Sequence, residues 1–298
     1  DTALPQTCSV CHDPHDQGTT SGKPNTAKVR VEDNTPKLPG GFAATGVGRG
    51  AICFICHNSR NGGGSGAFAS DSFLHMDGDP VFGSLTGYSG PHEANQGDVL
   101  LGYNAYFVGG AGPTNSPYRS PHSQIIGACV NCHMEQTPPP ALLSYNLAGT
   151  NHSFKVSLNI CSNCHPVNQS LGPMLQEKVK STLEALEKSI GDKIISRNTG
   201  TPIGSVRDLG GRGSINVIFS DATNTTNAVT NISVGNIPGL SVSALGTDNL
   251  AKALWNFYLI EQDQSFGIHN PDFTLAVLGA SQKAVNDIPN SVVPSNEL

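Results

Sequence analysis

Four copies of one pentapeptide, Cys-x-x-Cys-His, constrain this chain more than any other feature. All eight cysteines of the sequence belong to these copies. The cysteines are Cys8, Cys11, Cys53, Cys56, Cys129, Cys132, Cys161 and Cys164, and the histidines that follow them are His12, His57, His133 and His165. This spacing is typical of c-type haem attachment, in which two thioether bonds join the cysteines to one porphyrin and the adjacent histidine becomes the proximal iron ligand. The sequence therefore predicts four covalently attached haem c groups.

Two other uses of paired cysteines are weaker explanations of this pattern. Paired Cys-x-x-Cys units can bind zinc, but zinc sites do not require a histidine directly after the second cysteine of every pair. The eight cysteines could also form four disulfides, but a disulfide framework does not require the same two-residue gap four times. Haem attachment accounts for both the gap and the histidine.

The composition indicates a fold that depends on its cofactors. Charged residues make up 13% of the 298 residues, about half the usual share, and glycine (34) and proline (20) are abundant. Haem groups would supply the apolar surface that such a sequence lacks. We expect a multihaem cytochrome c fold with two regions. Residues 1–170 would form a tetrahaem region of loops and short helices, and residues 171–298 a helical region with a small strand-rich insertion at about 200–245.

Periodic apolar residues predict three helices in the second region. Pro173 suits the first turn of a helix, whose buried face would consist of Leu175, Val179, Leu183, Leu186 and Ile190. A second helix is predicted from about Asp248 to Glu261, with Leu250, Leu254 and Phe257 facing inward. Asn270 and Pro271 are typical of an N-cap and a first helical residue, and predict a third helix through Leu278. Between the first two helices, residues 215–219 and 232–234 are predicted to be short strands.

Net charge and hydropathy narrow the classes of partner. The formal net charge is −6, which disfavours nucleic acid and offers no basic patch to membrane lipids. No apolar run is long enough to span a bilayer. Because haem c is attached outside the cytoplasm, and because the chain begins at Asp1 without a basic and apolar leader, we expect a mature exported protein. The expected location is extracellular or on the cell surface, with the periplasm as the alternative.

Six histidines remain as candidates for the second axial position of each iron. They are His15, His75, His92, His122, His152 and His269. With three methionines in the sequence, methionine cannot serve all four haems, so histidine is the available distal ligand.

Three of these histidines lie in a pattern that resembles a known group of enzymes. His122 stands shortly before the third motif, which Met134 follows, His152 lies between the third and fourth motifs, and His269 precedes an Asn-Pro helix start. From Ser120 onward this layout is similar to the C-terminal part of the multihaem nitrite reductase and hydroxylamine oxidoreductase group. The resemblance implies that His122 serves the fourth haem, His269 the third and His152 one of the first two. His15, His92 and His75 compete for the last distal position.

The motif endings favour electron transfer over catalysis. The nitrite reductases open one iron by replacing its proximal histidine with lysine, whereas all four motifs here end in histidine. We therefore expect six-coordinate haems and no enzymatic activity. The tetrahaem count and the Cys-x-x-Cys-His-x-x-His start also resemble extracellular cytochrome nanowires. That resemblance implies self-association into a head-to-tail filament, with His15 completing a haem of the next subunit and with redox donors and acceptors outside the cytoplasm. The alternatives are a discrete tetrahaem carrier and, less favoured, a haem enzyme acting on a small nitrogen or sulfur compound.

Overall fold

A computed structural model of the chain resolves two compact units. The first comprises Asp1–Leu38, Ala43–His57 and Pro121–Gln169, and the second comprises Pro39–Phe42, Asn58–Ser120 and Ser170–Leu298. The residues that the structure describes are 8–13, 15, 19–20, 23–24, 28–40, 42–59, 91, 93–108, 118–134, 152–156, 158–165, 170–198, 200–209, 214–220, 229–233 and 249–289. Across these residues, no helix combines the length and the apolar character needed to cross a membrane.

The first unit contains all four motifs and is built from very short elements. Its helices are α1 (Cys8–Cys11), α2 (Ala51–Phe54) and α4 (Cys129–His133), and its strands β1 (Thr19–Thr20) and β2 (Lys23–Pro24) form an antiparallel pair. Turns of 3₁₀ helix cover Gly48–Gly50, Pro121–Gln124 and Leu158–Asn163. Each Cys-x-x-Cys-His motif thus lies on a single helical turn, as the sequence predicts for this region.

Few apolar side chains are buried in the described part of the first unit. They are Leu38, Ala44, Val47, Ala51, Phe54 and Ala128. Four of these six are alanine or valine, which bury little apolar area each. A side-chain core of this size is consistent with the expectation that bound haem completes the fold.

The second unit has a conventional core of helices and one small sheet. Its elements are α3 (Gln96–Leu101), α5 (Leu171–Arg197), β3 (Ile203–Asp208), β4 (Ser214–Phe219), β5 (Thr230–Ser233), α6 (Asn249–Glu261) and α7 (Pro271–Asn286). The three strands form one antiparallel sheet in the order β3-β4-β5. A helical C-terminal part with a small strand insertion is therefore confirmed.

Helix α5 packs through the predicted face. Val179, Leu183, Leu186 and Ile190 are all buried, and Leu175 is partly buried against the same core. The face contacts α6, α7 and β3. Burial of a stripe at spacings of three and four residues is the main force that fixes a helix of this length against its neighbours.

Helix α6 is more deeply buried than its periodicity indicates. Leu250, Leu254 and Phe257 are buried as predicted, but so is every other residue from Leu250 to Ile260. The polar residue Asn256 can be buried in this helix because both the oxygen and the nitrogen of its side-chain amide are hydrogen-bonded. Its Oδ1 accepts from the backbone N–H of Tyr106 (2.8 Å), and its Nδ2 donates to the Tyr106 carbonyl (2.9 Å) and to Ser281 Oγ (2.8 Å).

Helix α7 begins where the sequence predicts and ends later. Asn270 accepts a hydrogen bond from the Phe273 N–H (3.2 Å), and Pro271 is the first helical residue. The helix continues past the predicted end at Leu278 to Asn286, because the buried stripe resumes at Ser281 and Val285.

Strand β3 was not predicted from the sequence. It contains Gly204 and two charged residues at its end, Arg207 and Asp208, so its alternation is broken. Its register with β4 is irregular at two places. Pairing with β4 compensates for a pattern that is too weak to indicate a strand by itself.

Candidate haem sites

The four motifs share one backbone conformation. In three of them the histidine N–H donates to the carbonyl of the first cysteine, with N–O distances of 2.9 Å for His12, 2.8 Å for His57 and 2.7 Å for His165. The third motif is helix α4 itself. Residues at positions i, i+3 and i+4 of a helical turn lie on one face. Each turn therefore presents two thiols and one imidazole to the same side, which is the donor set for a covalently attached haem.

The geometry does not favour the two alternative uses of cysteine. None of the eight cysteines, all of which are described, is in a disulfide. Among the residues that the structure describes, no three His, Cys, Asp or Glu side chains are close enough together to hold a metal ion. A structural zinc site needs four such ligands, whereas a haem iron needs one or two from the protein.

Two of the motif histidines are oriented by backbone carbonyls. The Nδ1 atom of His12 lies 3.2 Å from the Lys28 carbonyl oxygen, and that of His133 lies 3.1 Å from the Phe154 carbonyl oxygen. A carbonyl oxygen can only accept, so each Nδ1 carries the proton. The opposite nitrogen, Nε2, is then left with the lone pair that binds a metal.

Two pairs of histidines, each joining a motif to one of the additional histidines, lie at a common spacing. The ring centres of His12 and His152 are 6.3 Å apart with planes at 46°, and those of His122 and His165 are 6.3 Å apart with planes at 90°. A metal–imidazole bond is about 2 Å long and the ring centre lies roughly 1.1 Å behind the nitrogen, so two imidazoles on opposite sides of one metal have centres about 6.2 Å apart. The ring-centre distance in both pairs therefore matches that of two axial ligands of one iron.

The second and third motifs are in direct contact. The Cys53 and Cys129 thiols are hydrogen-bonded, which lowers the pKa of Cys53 and, together with burial, raises the pKa of Cys129. The backbones approach closely because Gly50 has no side chain: a Cβ there would lie 2.7 Å from the Gly127 carbonyl oxygen. The first motif is also near, since burial raises the pKa of the Cys11 thiol and the charges of Cys53 and Cys56 raise it further.

His269 belongs to the second unit and lies in the loop that joins α6 to α7. Its Nδ1 atom is 2.6 Å from Oδ1 of Asp263. Burial lowers the pKa of His269, but the charge of Asp263 and its hydrogen bond raise it, and the net direction is upward. The assignment of His269 to the third haem remains a prediction.

Of the three histidines that compete for the last distal position, the structure describes His15. His15 is exposed, and its backbone N–H donates to Oδ1 of Asp13 at 3.0 Å. His75 and His92 lie outside the described residues.

Sequence reasoning missed two carboxylates. Asp263 is one, and its separation of six residues from His269 gives no helical or strand signal. The other is Asp98, which is fully buried and accepts from the Ser59 N–H (2.8 Å), the Ser59 hydroxyl (2.5 Å) and the Asn104 amide. Burial raises the pKa of Asp98 to about 7, although these donors act in the opposite direction. A single aspartate in this sequence gives no indication that its side chain will be buried.

Comparison with known proteins does not assign the chain to a family. No family model matches the chain, and no curated protein matches it. Among solved structures, the outer cell wall cytochrome OcwA is similar, with a TM-score of 0.48 and 19% sequence identity. The alignment covers 94% of this chain but 39% of OcwA, so the chain spans about two fifths of that protein's length. At this TM-score the similarity is too weak to assign a fold or a function.

Proposed function

We propose that this chain is a tetrahaem c-type cytochrome that transfers electrons outside the cytoplasm. The observation that carries the proposal is the repeated helical turn, which places two thiols and an imidazole on one face in all four motifs, together with the two imidazole pairs at 6.3 Å. Haem iron alternates between the ferric and ferrous states and so carries one electron at a time. The protein's part is to hold the iron ligands and to set spacing and potential.

The ring pairs support specific axial ligands. We assign His152 to the iron of the first motif, opposite His12, and His122 to the iron of the fourth, opposite His165. The family resemblance assigns His269 to the third. By elimination, the second haem, whose proximal ligand is His57, is the one that takes its distal ligand from His15, His92 or His75.

Contact between motifs favours conduction. Because the Cys53 and Cys129 thiols touch, the porphyrins attached to them would have edges close together. Short edge-to-edge distances and two imidazoles on each iron suit rapid electron transfer more than binding of a substrate, for which an iron position must be open.

Haem content and coordination can be tested on the purified holoprotein. The intact mass should exceed that of the polypeptide by four haems, and the reduced protein should bind no carbon monoxide rapidly. Fewer than four haems would contradict the tetrahaem assignment. Rapid binding to one haem in the unmodified protein would instead support the enzyme alternative.

We further propose that the chains polymerise head to tail, with His15 completing the second haem of a neighbouring subunit. Its exposed position near the first motif supports this role. Electron microscopy of the concentrated protein should show filaments, and His15→Ala should abolish them and open one haem to carbon monoxide. Lys155→Ala, a change at another exposed position of the same unit, is the matched control. Single particles in the unmodified protein would favour the discrete carrier.

A further inference from the structure

The second and third motifs of the first unit meet at a glycine. Gly50, the last residue of the 3₁₀ turn before α2, lies against the backbone that leads into α4. A Cβ atom at position 50 would lie 2.7 Å from the Gly127 carbonyl oxygen and 3.1 Å from the Cys129 nitrogen. Because Cβ atoms essentially never come within 3.0 Å of a non-bonded heavy atom, the two backbones can be this close only if residue 50 has no side chain.

The backbone conformation of Gly50 does not itself require glycine. Its φ is −64° and its ψ is −18°, which are ordinary helical values that any residue adopts. Gly46, four residues earlier, shows the opposite combination. Its φ is +67°, which favours glycine, but a Cβ atom there would meet nothing within 4 Å. Glycine is therefore needed at position 50 for close contact with the third motif, and at position 46 for the local backbone conformation.

Hydrogen bonds hold the backbone on both sides of this contact. On the side of the second motif, the Val47 N–H donates to the Asp33 carbonyl, and the Asp33 N–H donates to the Gly48 carbonyl, both at 2.9 Å. The Val47 side chain is also buried. On the side of the third motif, the Gly127 carbonyl accepts from the Val130 N–H at 3.0 Å. A methyl group added at position 50 would therefore press on anchored backbone and push the two motifs apart.

We propose that Gly50 is a positioning residue that keeps the second and third motifs in contact, so that the haems attached to them form one closely coupled pair. The inference rests on the proposed function, since it requires haem at both motifs. The hydrogen bond between the Cys53 and Cys129 thiols shows that the contact extends to the attachment points themselves. Electron tunnelling weakens exponentially with distance. A residue that sets the separation of two attachment points therefore also sets the rate of transfer between their haems.

Circular dichroism of the Soret band of the holoprotein tests this role. Neighbouring haems couple through their transition dipoles and give paired positive and negative bands, whose strength falls with the cube of the haem separation. We expect these bands to lose amplitude in Gly50→Ala and to lose more in Gly50→Val. Gly46→Ala is the matched control, because it strains the backbone nearby without pressing on the third motif, and it should keep the amplitude of the unmodified protein. Equal amplitudes in Gly50→Ala and the unmodified protein would overturn the proposal.

The masses of proteolytic peptides show which motifs carry haem and separate this inference from the proposed function. If the unmodified protein has four haems and Gly50→Ala leaves its Soret bands unchanged, the role of Gly50 is wrong while the proposed function stands. If the unmodified protein carries no haem at Cys53 or Cys129, the tetrahaem assignment fails, and the role of Gly50 fails with it. Loss of haem from the second and third motifs alone in Gly50→Ala would support the proposal, whereas loss from all four would contradict it.

Discussion

The imidazole rings of His122 and His165 lie 6.3 Å apart with their planes perpendicular. His122 belongs to the 3₁₀ turn Pro121–Gln124 and His165 follows the turn Leu158–Asn163. Two short turns, distant in sequence, thus bring two nitrogen ligands to the spacing that one iron requires. Among the side chains of these two turns that the structure describes, Ser123 alone is buried, so the metal itself would be an important link between the turns.

Removal of His122 should open the fourth haem. In His122→Ala the iron keeps His165 but loses its second imidazole, so the reduced protein should bind about one carbon monoxide per chain. Gln124→Ala, an exposed position on the same turn, should bind none. Optical titration with carbon monoxide measures how many molecules each of the two variants binds. A His122→Ala protein whose four haems all remain low-spin would remove His122 from the ligand set.

Removal of His152 should open a different haem. Because the ring centres of His152 and His12 lie 6.3 Å apart, His152→Ala should also bind about one carbon monoxide per chain. The double variant with His122→Ala should bind about two, since the two irons are separate. A double variant that binds one would mean that both histidines serve the same haem.

Gly267 should not tolerate a side chain. Its φ is +94°, and a Cβ would lie 3.1 Å from Cγ2 of Val179. We expect Gly267→Ala to reduce the free energy of unfolding by about 1–2 kcal/mol. Gly279, within α7, is the matched control, because a Cβ there meets nothing within 4 Å. Gly279→Ala should stabilise the helix by about 0.5–1 kcal/mol. Urea unfolding followed by circular dichroism measures the free energy of unfolding of both variants. Equal changes in Gly267→Ala and Gly279→Ala would contradict the prediction.

Asp98 should make stability depend on pH. Burial raises the pKa of Asp98 from 3.8 to about 7, so the folded state holds this proton more tightly than the unfolded chain does. The resulting stabilisation is complete below about pH 4 and is lost as the pH rises to about 7, with an upper limit of about 4 kcal/mol.

Neutral asparagine at position 98 should remove that dependence. We expect the free energy of unfolding of the unmodified protein to fall between about pH 4 and pH 7, and Asp98→Asn to show a flatter profile. Asp287→Asn alters an exposed carboxylate paired with Lys283 and should leave the slope in place. Parallel slopes for the unmodified protein and Asp98→Asn would show that Asp98 does not titrate in this range.

Asn256 should be essential to the packing of α6. Its amide pairs with both backbone groups of Tyr106, which is buried. Loss of a partner for a buried polar group costs about 1–3 kcal/mol, so Asn256→Ala should lower the free energy of unfolding by at least about 2 kcal/mol. Asn231→Ala, which removes an exposed bond to Asn216, should change it by less than about 0.5 kcal/mol. Similar midpoints in urea for both variants would contradict this role.

The sequence predicts local features of this fold well. The α5 face that contains Val179 and Ile190, and the cap at Asn270, follow from side-chain periodicity and from hydrogen bonding within four residues. The four Cys-x-x-Cys-His motifs are equally local, because the haem attachment that they predict requires residues one turn apart.

Features that depend on distant segments could not be predicted from the residues alone. The burial of Asn256 becomes acceptable only when Tyr106 lies beside it, and Asp263 becomes significant only beside His269. Strand β3 exists because β4 pairs with it. Likewise, the closeness of the His152 and His12 rings follows from no spacing rule, since the two residues lie near opposite ends of the first unit's sequence.

The contact between Cys53 and Cys129 has a consequence for biosynthesis. Two thiols in hydrogen-bonding contact are one two-electron oxidation from a disulfide, and the compartments in which haem c proteins mature favour that oxidation. A bridge between these two cysteines would take one attachment point from each of two haems. Under the proposed function, the chain would have to receive haem before these two segments fold together, or be kept reduced until it does, so the order of assembly would be part of what this sequence encodes.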